Sequence, residues 1–104
     1  MPIGGKKYKF TKENVDNAPD EHGVYILYDN STLIYIGRAA GEGVTIRSRL
    51  QSHKSGNEGA CTTNASHYKR EITSSPIGRE KELVQEYKDS HNGELPRCNE
   101  VDPT

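Results

Sequence analysis

Two short runs, GVYILY at residues 23–28 and LIYIG at 33–37, are rich in β-branched and aromatic residues and are separated by Asp29, Asn30, Ser31 and Thr32, all good turn formers. Such a pair reads as a β-hairpin. It ties the fold to an antiparallel sheet, and it concentrates tyrosines in a chain with one phenylalanine and no tryptophan. Side chains alternate between the faces of a strand, so turn length decides whether Tyr25 and Tyr35 meet. With three turn residues, Asp29 to Ser31, the two phenols lie opposite each other; with an even number they point apart.

Beyond the hairpin, RAAGEG (38–43) is a flexible connection. Thr45 then suits the N-cap of a helix running to about Lys54, with Ile46 and Leu50 four residues apart on one side. SGNEGACTTNAS (55–66) is loop by composition, and HYKREIT (67–73) reads as a third, edge strand. Ser75-Pro76 combines a capping hydroxyl with proline at the first helical position, and the helix it opens continues toward Gly93. The last residues, ELPRCNEVDPT, are irregular. With no repeat and no low-complexity tract, residues 1–104 read as a single α+β domain of order ββα(β)α on a small antiparallel sheet.

Only 31% of the residues are hydrophobic, against about 45–50% in globular sequences, so the core must be small. Its apolar residues concentrate in 23–36, at Ile46 and Leu50, and from Ile77 to Tyr87, and the polar ends are expected to fray. No run is long enough to cross a bilayer, and MPIGGKKYKF lacks the hydrophobic stretch of a signal peptide, which points to a cytoplasmic protein. Cys61 and Cys98 lack the paired spacing of a zinc or redox motif and are expected to be reduced thiols. Net charge is −1, which excludes a strongly basic nucleic-acid coat. The distribution is uneven, however. Lys6, Lys7, Lys9 and Lys12 have no acid among them, Arg38, Arg47, Arg49 and Lys54 stand against Glu42, and acids predominate from Glu80 onward, so a basic face and an acidic face are expected.

Two features resist a purely structural reading. Glu80 occupies the first place of an i, i+3, i+4, i+7 set completed by Leu83, Val84 and Tyr87, where the helix face should be apolar. It must either lie at the edge of the stripe in water or turn toward a cation or metal. Arg49 and His53, four apart, share one side of the first helix and offer a two-donor grip on phosphate beside a proton acceptor.

GVY, YIG ten residues later, RSRLQSH on the next helix, EKELVQEY on the one after it, and LPRCN downstream together resemble the GIY-YIG nuclease domain over about Gly23 to Asn99. They are similar to the N-terminal nuclease domain of bacterial excision-repair endonucleases. The resemblance implies a three-stranded antiparallel sheet flanked by helices, and phosphodiester hydrolysis with one divalent metal, Mg2+ with Mn2+ as the alternative. Position by position it makes Tyr25 and Tyr35 the motif tyrosines, Gly37 the motif glycine, Arg49 the arginine on the scissile phosphate and Glu80 the metal ligand. Asn99 matches the closing asparagine, and His53 a position close to the reaction. Arg38 stands where the repair relatives usually have lysine, and the chain between Tyr87 and Asn99 is several residues longer than theirs. Arg38, Arg47, Arg49 and Lys54 are the expected nucleic-acid contacts.

The implied partner is nucleic acid, DNA favoured over RNA, in repair or processing, with a homodimer or protein partner left open. No appended domain is visible to read a long sequence, so structure-selective or weakly specific cleavage is expected. For the general base, a free phenol with pKa about 10 is rarely ionised at pH 7, whereas a histidine near 6.5 is ready. The expected relay has a tyrosine orienting or deprotonating water and His53 accepting the proton. Arg38, which does not readily release its own proton, can stabilise a tyrosinate but not generate one. A catalytically silent binding module of the same fold is the alternative. GRAAGEGVT as a phosphate loop is weaker still, lacking the Gly-Lys-Ser/Thr ending.

Overall fold

The computed structural model describes residues 2–103. Its elements are β1 (Tyr8–Lys9), α1 (Lys12–Asp16), β2 (Gly23–Asp29), β3 (Thr32–Ala39), α2 (Ile46–Ser55), α3 (Ala60–Thr63), β4 (His67–Ile72) and α4 (Pro76–Ser90). The strands form one antiparallel sheet in the order β1-β4-β2-β3, with β3 at a free edge.

The expected hairpin is β2–β3, and its register is not a simple one. Asp29 pairs with Thr32 and Tyr28 with Leu33, which leaves Asn30-Ser31 as the turn, with Asn30 in the left-handed region at φ 58°. Leu27 then pairs with Tyr35, so Ile34 is an extra residue in β3. This bulge adds one residue to an even turn and thereby reverses the facing of everything beyond it. Tyr25 and Tyr35 end on the same face after all.

That face carries Tyr25, Leu27, Ile34, Ala39 and Tyr68 against Val15 of α1 and Ile46 and Leu50 of α2. The opposite face packs Val24, Ile26 and Ile36 against Leu83 and Val84 of α4 and against Ile3. Gly23, the first motif glycine, lies where β2, β4 and α2 converge. A Cβ there would stand 2.2 Å from the Glu71 carbonyl oxygen and 2.7 Å from Ile46 Cδ1.

The helix ends follow local chemistry. Thr45 and Ser48 form a reciprocal capping box at the start of α2, and Gly56, at φ 89°, closes it. At α4 the expected hydroxyl cap does not form. Ser75 makes no side-chain bond to the helix, and its own N–H donates to Thr73 Oγ1. Gly93, at φ 82°, donates its N–H to the Lys88 carbonyl and ends that turn.

Several further sequence expectations need correction. The sheet has four strands and β4 is interior rather than an edge, because Tyr8 stacks on Tyr68 with centroids 5.3 Å apart and registers a two-residue strand beyond β4 in a lysine-rich segment that shows no alternation. The polar end segments contribute to the core: Ile3, Phe10 and Cys98 are buried, and Thr11 caps α1. Ile77 does not join the core but is 49% exposed. Finally, Cys61 and Cys98 are not free thiols but form a disulfide, their Cα atoms 5.7 Å apart across a sequence separation of 37. No local spacing announces such a pair, since it is the chain path that brings the two together.

Candidate functional site

β2 and β3 hold the motif tyrosines side by side, with ring centroids 6.1 Å apart and planes at 29°. Gly37 makes this possible. A Cβ on it would lie 2.5 Å from both Cζ and the hydroxyl oxygen of Tyr25 and 2.7 Å from Cε2 of Tyr35, so both rings occupy the space a side chain would need.

α2 lays Arg49 and His53 over these rings. The imidazole is 5.4 Å from the Tyr25 ring centroid and 4.7 Å from that of Tyr35. Its Nε2 is 2.8 Å from the Tyr25 hydroxyl and its Nδ1 2.8 Å from Thr62 Oγ1. Arg49 lies against the Tyr25 hydroxyl and is a donor only, so the phenol hydrogen is free to point at Nε2, and Nδ1–H then donates to Thr62. Burial pushes the Tyr25 phenol well above the usual tyrosine range. Burial, seconded by the Arg49 charge, pulls His53 down to about 4. The expected readiness of His53 as a base is therefore reduced: it is neutral, but 1% exposed and a weak acceptor. Tyr35 is half-buried, and burial raises its pKa as well.

Tyr35 opens onto a cleft of about 330 Å³ that also contains Glu58, Thr62, Glu80, Asn99 and the Cys61–Cys98 bridge. Glu80 belongs to the buried stripe of α4, as its spacing indicates, and is turned toward a cation: Arg38 Nη1 donates to its Oε1 at 2.9 Å. Asn99 aligns with the free edge of β3, accepting from the Ile36 N–H at 3.0 Å and donating to the Ile36 carbonyl at 2.9 Å. Its amide replaces a missing strand partner. Arg49 grips Glu58 with both terminal nitrogens, at 2.9 and 3.3 Å.

Arg38 and Arg49 reach this cleft only through the acids they grip, Glu80 and Glu58, and the other two expected nucleic-acid contacts are engaged elsewhere. Arg47 Nε donates to the Ala18 carbonyl, and Lys54 lies 5.1 Å above the Phe10 ring. Thr62, Glu58 and Ser52 escaped the sequence reading. Ser52 alone had a signal, being three residues from Arg49 on the same helix face.

No cluster of three acidic, histidine or cysteine ligands exists among the described residues. The donor chemistry still fits hydrated Mg2+, which takes one or two carboxylates and keeps water and phosphate oxygens for the rest of its shell. Glu80 supplies one such carboxylate at the cleft, with Oε1 shared with Arg38.

Comparison with known proteins matches residues 21–93 to the GIY-YIG catalytic domain. No curated protein and no solved structure matches the chain.

Proposed function

Because this chain belongs to the GIY-YIG catalytic-domain family and carries its nuclease-type fold, we propose that it is a metal-dependent endonuclease that hydrolyses phosphodiester bonds, in DNA rather than RNA. The observation that supports this best is convergence. Tyr35 on β3, Glu80 on α4, and Asn99 beyond it line one cleft, and Arg49 on α2 stands beside Tyr35 and grips Glu58 of the same lining.

In this reading Arg49 meets the scissile phosphate with two parallel donors and stabilises the charge that develops on it. Tyr35, the motif phenol that reaches the cleft, orients the attacking water. Tyr25 and His53 act behind it: their mutual bond and the Thr62 contact fix the two rings, and a proton passed to His53 must come through Tyr25. Glu80 would hold Mg2+, or Mn2+ in its place, which when bound neutralises phosphate charge. Arg38, donating to Oε1, holds that carboxylate in place at the cleft.

The silent binding module keeps one specific point in its favour, since both Arg49 and Glu80 are already paired within the chain, to Glu58 and Arg38. Labelled single-stranded, duplex and branched DNA and RNA, incubated with Mg2+ or EDTA beside Glu80→Gln, separate the readings. Metal-dependent products absent from the variant support the enzyme; bound but uncut substrate supports the module.

With no further domain within these residues to read a long site, selection by nucleic-acid structure fits better than by sequence. The Cys61–Cys98 bridge weighs against the cytoplasmic setting, because disulfides persist in oxidising surroundings. No described helix is long and apolar enough to cross a membrane.

A further inference from the structure

Glu58 lies in a turn between Gly56 and Gly59, both at positive φ (89° and 101°), which folds the chain back onto α2. Its carboxylate is held at three points. Arg49 Nη1 donates to Oε2 at 2.9 Å, Arg49 Nη2 to Oε1 at 3.3 Å, and Ser52 Oγ to Oε2 at 2.8 Å. The side chains of Arg49 and Glu58 are each 28% exposed, so the pair is not in the core, and Glu58 lines the cleft. A guanidinium fork of this kind recognises carboxylate and phosphate with the same geometry.

Resting on the nuclease reading above, we infer that Glu58 occupies the seat of a substrate phosphate, and that Ser52 is a second donor of that seat. The acid is a latch that nucleic acid must displace. Three observations converge on this. The fork is already formed, the acid it grips lines the same cleft as Tyr35 and Glu80, and that acid is an anion carried on a short turn bounded by two glycines beyond the end of α2. Ser52 lies one turn along from Arg49 and beside His53, so a phosphate replacing the carboxylate receives the same hydroxyl.

A latch of this type competes with substrate and takes no part in breaking the bond. Its removal therefore tightens binding and lowers KM with kcat unchanged. An exposed or half-exposed ion pair is worth up to about 1 kcal/mol, so the gain on removal is about fivefold in affinity.

The test is fluorescence anisotropy of short labelled DNA duplexes and single strands in EDTA, with wild type, Glu58→Gln, Glu58→Ala and, as a control for net charge, Glu82→Gln on the exposed side of α4. The expected result is about fivefold tighter binding for both Glu58 variants and none of that gain for Glu82→Gln. Adding Ser52→Ala to Glu58→Ala then reverses much of the gain. If wild type binds but the Glu58 variants bind no more tightly, or Glu82→Gln tightens binding equally, the latch is wrong while the nuclease reading stands. If neither wild type nor the Glu58 variants bind any of the probes, the nucleic-acid reading fails and the latch with it.

Discussion

Gly37 and the Tyr25 ring lie so close that a single methyl group cannot be placed between them: a Cβ on Gly37 would meet Tyr25 Cζ at 2.5 Å. Tyr25 cannot retreat, because it is fully buried and its hydroxyl is bonded to His53. Gly37→Ala should therefore destabilise the protein by about 1–3 kcal/mol, the scale of overpacking a core, and should lower cleavage by displacing both rings. Urea unfolding gives the first quantity; an unchanged midpoint would show that the rings have room to move.

Lowering the pH should weaken the fold through His53. Its pKa is about 4 in the folded protein against an ordinary 6.5, so between these values the unfolded chain binds a proton that the folded one refuses. The stabilisation is fully present above pH 6.5 and is lost as pH falls toward 4, a change on the order of 3 kcal/mol. Urea midpoints measured at several pH values across that window should fall with acid. The fall should be shallower in His53→Gln, which cannot titrate.

Asn99→Ala leaves the N–H and carbonyl of Ile36 without their present partner on the edge of β3. The expected cost is about 1–3 kcal/mol. Asn99→Asp should recover less than half of it, since an aspartate accepts from the Ile36 N–H but cannot donate to its carbonyl. Comparing the two by thermal unfolding separates hydrogen bonding from simple packing.

Reduction should destabilise the chain, because the Cys61–Cys98 bridge closes a long loop. A loss of about 2–4 kcal/mol is expected. Melting with and without a dithiol reductant measures it. The double variant Cys61→Ser, Cys98→Ser should melt at the reduced temperature and ignore the reductant.

Glu80→Gln keeps the shape of the side chain and removes its charge, so it tests the acid as an ion holder. Cleavage should fall at least about 100-fold, as when one electrostatic stabiliser is removed from a transition state. Mg2+ should raise the melting temperature of wild type and not of the variant, since a ligand bound only to the folded state stabilises it. An equal rise in both would move the ion elsewhere.

Much of this was written locally. The β2–β3 hairpin, the Thr45 start of α2, the proline-led start of α4 and the apolar stripe containing Glu80 each depend on residues within a few positions of one another, and all appear where the sequence places them. The short β1 did not announce itself, because two residues carry no periodicity and their pairing depends on a tyrosine stacked across the sheet.

The site divides along the same line. From the sequence alone came the residue types and their order: two phenols, a motif glycine, an arginine and histidine one helical turn apart, and an acid on a face that should have been apolar. Only the folded chain decided how they face each other. The Ile34 bulge sets the phenols on one side, Thr62 takes the far nitrogen of His53, Glu58 fills the arginine fork, and a disulfide lines the cleft. The reason is physical: local periodicity fixes which way a side chain points along its own element, whereas these contacts join groups that no local rule relates, and they form only when packing of the whole sheet and its helices brings them within reach.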